Sequence, residues 1–202
     1  MSYARYLFGG QALMRLLHQY GDVRTVLDVG SGVGQHADVM REHGKEVTTI
    51  SMIPPADVVG DFMQHEFPIF DAIWASHVLE HQLDVNAFLK KCYRTLKPDG
   101  VFAVTVPPLK HEVVGGHLNL FNSGTLLYNL ILAGFDCSRA RVSPCYVAGP
   151  MNFPYNLSVI VRKKEAVLPA LEMDHGDIER IAQYFPFRAY QGFDGSKCAV
   201  NW

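Results

Sequence analysis

The sequence predicts an α/β domain built on an open, mostly parallel sheet with helices packed against it. Two observations carry this. Short apolar runs of strand length alternate with segments whose apolar residues recur at helical spacing. A glycine cluster, Gly30-Ser-Gly32-Val-Gly34, follows directly on the first apolar run. Strands that alternate with helices are joined by crossovers, and such sheets bind ligands at the carboxyl ends of their strands.

Leu13, Leu16, Leu17 and Tyr20 lie at helical spacing, with Gly21 as a stop. Thr25 to Val29 is a buried strand. Gln35 to His43 is a helix that Gly44 ends. Glu46 to Met52, rich in Val, Thr and Ile, is a strand closed by Pro54-Pro55, and Val58-Val59 is a short one. Phe70 to Ala75 is the fourth. Asp84 suits the N-cap of a helix whose apolar face is Val85, Phe88, Leu89, Cys92, Tyr93 and Leu96. Lys97-Pro-Asp-Gly100 reads as a turn and Val101 to Val106 as a strand stopped by Pro107-Pro108. Ser123 can cap a helix carrying Leu126, Leu127, Leu130 and Ile131, ending at Gly134. Cys137 to Val142 and Leu157 to Arg162 are the last strands, joined by a long segment holding Pro144, Gly149, Pro150 and Pro154. Asp177 to Tyr184 is a final short helix. The places to look for a site follow Val29, Met52, Val59, Ala75 and Val106.

Composition narrows the function. The chain has 202 residues, a formal net charge of -2, 49% hydrophobic and 19% charged residues. It offers no basic stripe to neutralise phosphates, which argues against nucleic acid as a partner. Cys92, Cys137, Cys145 and Cys198 are scattered and read as reduced thiols. No apolar run reaches the roughly 18 residues of a membrane span. The first residues lack the basic start and cleavage site of a signal peptide. The expected location is cytoplasmic, with no membrane partner.

Asp28-Val-Gly30-Ser-Gly32-Val-Gly34 differs from the dinucleotide fingerprint G-x-G-x-x-G in spacing and in the acid two residues before its first glycine. A carboxylate facing the pocket repels pyrophosphate and attracts an ammonium group. Val26 to Gly34 resembles the first motif of class I S-adenosylmethionine-dependent methyltransferases. Phe70 to His81 resembles the fourth-strand motif of that family's small-molecule branch. Leu96 to Pro107 resembles its fifth-strand motif, and Gly115 to Phe135 the segment that follows. The resemblance covers about residues 23–142. It implies a Rossmann-like, doubly wound fold: a seven-stranded, mostly parallel sheet with an antiparallel last strand. One domain over residues 1–202 is expected, with an N-terminal helix in 1–22, a cofactor-binding core in 23–163 and a tail, 164–202, near the acceptor pocket.

The resemblance implies roles by position. Gly30, Ser31, Gly32 and Gly34 would pack against the amino-acid part and ribose of S-adenosylmethionine. Asp28 would help hold its ammonium group. Asp61 and Phe62 would meet adenine, with Met52 beside them, and Ser76 and His77 would line the methionine end. In one position the sequence departs from the family. An acid usually closes the second strand and clasps both ribose hydroxyls, and Ser51 stands there instead. A neutral hydroxyl makes a weaker bond than a carboxylate.

His77-Val-Leu-Glu80-His81 fits the inverted zinc-protease pattern H-x-x-E-H, but that pattern belongs on a long helix and this one follows a strand. Histidine titrates near neutral pH and suits removal of a proton from a hydroxyl acceptor. His77, His81, His111 and His117 all follow strands four and five; His117, His81 and His77 are the catalytic candidates. The region also resembles ubiquinone-pathway O-methyltransferases, whose matching segment can hold a divalent ion; Glu80, His81 and His117 are the residues that would do so, although no metal is expected. The reaction expected is O-methylation of a small polar metabolite such as a sugar or phosphorylated compound. N-methylation, a non-catalytic cofactor-binding homologue and a nucleotide-dependent oxidoreductase are the alternatives, the last disfavoured by the loop spacing.

Overall fold

The computed structural model describes residues 8–109, 112–146, 155–196 and 201–202. Seven strands form one sheet in the order β3-β2-β1-β4-β5-β7-β6. They are β1 Thr25–Val29, β2 Glu46–Ser51, β3 Val58–Val59, β4 Phe70–Ser76, β5 Leu96–Val106, β6 Arg141–Tyr146 and β7 Tyr155–Arg162. β1, β2, β3, β4 and β5 pair in parallel. β7 runs antiparallel to both β5 and β6. The five α-helices are α1 Gly10–Gln19, α2 Gln35–Glu42, α3 Val85–Thr95, α4 Ser123–Leu132 and α5 Asp177–Ile181.

The central strands read as continuous apolar runs because both faces are covered. Side chains alternate between two cores. Ile73 and Ala75 of β4, with Phe102, Val104 and Val106 of β5, pack on Phe88, Leu89 and Cys92 of α3 and Leu126, Leu127 and Leu130 of α4. Ala72 and Trp74, with Val101 and Ala103, pack on Leu13 and Leu16 of α1 and Val39 and Met40 of α2. Among the described residues, no helix is long and apolar enough to cross a membrane. Cys92 and Cys137 are buried free thiols. Cys198 and His111 lie outside the described residues.

Four local expectations need correction. Lys97–Gly100 does not precede β5 but lies within it: Phe70 pairs with Leu96 and Ala72 with Val101, so these four residues bulge out opposite Asp71. Asp99 takes φ 57 to make the bulge. The cap of α4 is Asn122, not Ser123; Asn122 Oδ1 accepts from Thr125 N while Thr125 Oγ1 accepts from Asn122 N. The sixth strand begins at Arg141 rather than Cys137, because Ser138 N donates to Asp136 Oδ1 and Ala140 N to the Cys137 carbonyl, closing a turn first. Pro144, expected in the connection, is part of β6, an edge strand where a missing N–H is tolerated. The last helix continues from α5 as a 3₁₀ turn over Ala182–Tyr184.

Asp71 ties the bulge to the edge of β1. It accepts from the N–H groups of Arg24 and Thr25, from the Thr25 hydroxyl and from Lys97 Nζ at 2.7 Å. Burial opposes its ionisation, but these donors outweigh burial and hold the carboxyl well below the usual range. Asp71→Ala should therefore lower the unfolding free energy by about 2–3 kcal/mol. A denaturant midpoint that falls at constant slope would show it. Because the folded pKa is depressed, the contribution of Asp71 is present above about pH 4 and lost on further acidification; the alanine variant should lack that component of acid destabilisation.

Candidate functional site

β1 and β4 are neighbours, and their C-terminal ends open onto one cleft. Its volume is about 470 Å³, and its walls include Phe8, the Gly30–Val33 loop, His36, Ser76, His77, Pro107 and His117. Of the residues expected from sequence, it gathers Gly30, Ser31, Gly32, Ser76, His77 and His117. Phe8, Val33, Gln35, His36 and Pro107 were not anticipated. His36 is legible only afterwards, as the second residue of the helix that follows the glycines. A second cavity, of about 330 Å³, lies between α4 and the tail, against Asn122, Tyr128, Tyr190 and Phe193, and includes no part of the glycine loop.

The loop is fixed from below and open above. Gly30 N and Ser31 N donate to the Ile50 carbonyl of β2. Gly30 has φ 74, and a Cβ there would lie 2.3 Å from Val78 Cγ2, so only glycine fits. Gly32, at φ 54, is different: a Cβ would meet no protein atom within 4 Å. The space above Gly32 belongs to the cleft. Gly34, at φ 82, is the N-cap of α2.

Asp28 lies under this loop at 2% exposure. Its Oδ2 and the Ser31 hydroxyl are buried without a hydrogen-bond partner. Burial pushes the Asp28 carboxyl up to about 7, against a lowering by Arg41. Buried acceptors of this kind are rare unless a ligand or water completes them. The residues therefore fit a ligand ammonium.

The adenine and ribose expectations are less gathered. Asp61 Oδ1 already accepts from Met63 N, capping a 3₁₀ turn. Phe62, expected to meet adenine, is instead 5% exposed and packs between Phe67 and Phe88. Lys91 holds that turn, donating to the Met63 and His65 carbonyls. Ser51 is buried, and its Oγ accepts from Ile53 N at 3.3 Å. Met52 is 71% exposed beside it.

Four ionisable side chains meet where the loops after β4 and β5 touch. Glu80 is fully buried, and its backbone carbonyl accepts from Leu118 N and Asn119 N. Its Oε1 lies 3.2 Å from His77 Nδ1 and 3.8 Å from His81 Nε2, without hydrogen-bond geometry in either case. His81 Nδ1 donates to the Gly116 carbonyl at 2.7 Å, which leaves Nε2 as its lone-pair nitrogen. The rings of His81 and His117 meet edge-on at 5.0 Å. One ligand atom each from Glu80, His81 and His117 lie within 4.8 Å of one another. His36, whose Nδ1 accepts from Trp74 Nε1, is driven down to about 4 by burial and by His77, so it stands neutral in the wall.

Asp28 makes stability depend on pH. Its folded pKa is raised, so its favourable contribution is present below about pH 4 and is lost as pH rises towards 7. Asp28→Asn should remove this loss, giving an unfolding free energy flatter between pH 4 and 7 than that of the unsubstituted protein. Equal pH slopes in urea titrations of the two would contradict it.

The methyltransferase domain family matches residues 3–137 of the chain. Among curated relatives, sterol 24-C-methyltransferase of Gibberella zeae is 35% identical over a segment covering 44% of this chain and 29% of its own length. Ubiquinone biosynthesis O-methyltransferase of Pseudomonas paraeruginosa is 30% identical, with 41% and 44% covered. The chain thus spans less than half the length of either relative. Its fold is similar to that of the 1,6-didemethyltoxoflavin-N1-methyltransferase of Burkholderia thailandensis, solved with S-adenosylhomocysteine. The TM-score is 0.64 at 21% identity, with 77% of each chain covered. An acid-preceded glycine loop, a cleft at the ends of β1 and β4, and a family match over two-thirds of the sequence converge: the chain belongs to the class I S-adenosylmethionine-dependent methyltransferase family.

Proposed function

We propose that residues 1–202 act as one unit that transfers a methyl group from S-adenosylmethionine to a hydroxyl of a small polar metabolite. The observation that carries the cofactor half is the buried, uncompleted Asp28 carboxylate beneath a glycine loop with open space above Gly32. Asp28 and Ser31 hold the amino-acid end, while Ser76 and His77 flank it. Exposed Met52 supplies an apolar surface for the purine, and Ser51 offers its hydroxyl hydrogen to the ribose. Asp61 Oδ2 is available to the exocyclic amine. When bound, the cofactor supplies an electrophilic methyl on a sulfonium.

The protein's tasks are then alignment and proton removal. His117 lines the cleft and, among the described residues, its ring nitrogens make no hydrogen bond. It takes the acceptor's hydroxyl proton. His81 stands behind it, held by Gly116, and buried Glu80 stabilises the positive charge that forms. Imidazoles and hydroxyls at the mouth suit a neutral hydroxyl acceptor such as a sugar better than a phosphorylated one. A second reading gives Glu80, His81 and His117 a divalent ion. It is favoured by the His81 geometry, since metal-bound histidines direct the other ring N–H to a carbonyl or carboxylate.

Two outcomes test this. S-adenosylhomocysteine should bind and NAD should not; Gly32→Val should remove that binding in a folded protein, because its side chain occupies the cleft. Nucleotide binding with unchanged S-adenosylhomocysteine affinity in the variant would defeat the cofactor assignment. For catalysis, His117→Ala and His81→Ala should each slow methyl transfer by about 10²–10⁴-fold, with cofactor affinity nearly constant. Normal turnover in both removes the base assignment. Stoichiometric metal in the purified protein, lost in Glu80→Gln, would favour the ion-holding arrangement.

A further inference from the structure

Asn156, in β7, is an amide at the start of an otherwise largely apolar strand. It is 3% exposed. A carboxamide buried so deeply is unfavourable unless it is hydrogen-bonded. Its Oδ1 meets Nε2 of His77, which follows β4, beyond the intervening β5. A carbonyl oxygen only accepts, so Nε2 carries the hydrogen. The opposite ring nitrogen, Nδ1, lies 3.2 Å from Oε1 of the fully buried Glu80.

The backbone of His77 is equally constrained. It takes φ 57, a left-handed conformation that L side chains rarely adopt. Its N–H donates to the Thr105 carbonyl of β5 at 2.9 Å. Its ring meets Phe8 edge-on at 5.1 Å. Strain of this kind persists where the surroundings over-determine the conformation, and it concentrates at functional sites. A histidine that only filled space would need neither the strained backbone nor two buried polar neighbours.

We propose that Asn156 is a positioning residue of the cleft: it locks His77 in the Nε2–H form and turns Nδ1 towards Glu80. Neither ring nitrogen of His77 is then left to face a ligand. His77 shapes the wall of the cleft, and the role of base falls to His117 and His81. The consequence for affinity rests on the cleft being the cofactor site; the ring form of His77 does not.

The test compares Asn156→Ala with Asn156→Asp in the full chain. Aspartate keeps an accepting oxygen and has no amide N–H, so it separates acceptance from simple packing. The readout is the ring-nitrogen NMR spectrum of His77, assigned by its loss in His77→Gln. The unsubstituted protein and Asn156→Asp should show protonated Nε2. In Asn156→Ala the hydrogen should move to Nδ1, facing Glu80. S-adenosylhomocysteine affinity should fall about tenfold in Asn156→Ala, because the released His77 ring no longer holds the shape of the cleft wall, and stay within about threefold in Asn156→Asp. Unchanged His77 signals in a folded Asn156→Ala, or an aspartate variant that matches the alanine one, would overturn the proposal. If the unsubstituted protein binds no S-adenosylhomocysteine, the cofactor assignment fails instead, and the ring-nitrogen result still decides the role of Asn156.

Discussion

The carboxylate of Asp28 sits at the end of β1 with 2% exposure and one oxygen that meets no donor. Burying an ionised carboxylate without a partner is among the most unfavourable arrangements a fold can hold. The upward displacement of its pKa to about 7 expresses that cost. Several features nearby are explained by keeping this group in place. β1 is paired on both sides, so Asp28 cannot swing out to water. The glycine loop is pinned to Ile50 of β2 and rests on Val78 of the loop after β4. A positively charged group entering above Gly32 would relieve the penalty. The stability that the free protein forgoes at Asp28 is thus available as affinity for such a ligand.

The fold was legible because its signals are local. The strands are apolar on both faces, and the β4 and β5 side chains alternate between two cores. Gly21, Gly44 and Gly134 follow the ends of α1, α2 and α4, and Asp84 starts α3, its Oδ1 accepting from Ala87 N as expected. The errors fall where a longer-range partner decides. Lys97–Gly100 has turn chemistry, but Asp71 and the pairing of Phe70 with Leu96 draw it into β5 as a bulge. Asn122 and Ser123 are both good caps, and only the reciprocal bond with Thr125 distinguishes them. The Cys137 segment has a strand's composition but is turned first by Asp136.

The site was legible to the extent that it lies on the loops after β1, β4 and β5. Residues placed by resemblance alone fared less evenly. The aromatic ring of Phe62 was matched by motif, yet the cation of Lys91 lies 5.1 Å from it and Phe88 packs against it, in the core. Phe8, His36 and Pro107 enter the cleft through tertiary packing that no spacing announces. Asn156 left one faint signal, an amide directly before the run Leu157-Ser-Val-Ile-Val161. Its meaning depends on a partner 79 residues away.

Glu80 links the two halves of the mouth. Its carbonyl holds Leu118 and Asn119 of the loop after β5, while its side chain faces histidines from both loops. A single buried acid therefore joins the two loops through its backbone carbonyl and sets its carboxyl beside the rings at the mouth. The family match stops at residue 137. Beyond it lie β7, which supplies Asn156, and the tail, whose Phe185, Phe187 and Phe193 pack together against α4. Glycine-loop chemistry is set by backbone geometry that tolerates little variation. The side chains that wall the cleft, among them Phe8, His36, His77, Pro107 and His117, lie around that loop rather than in it. A division of this kind lets one cofactor site serve different acceptors.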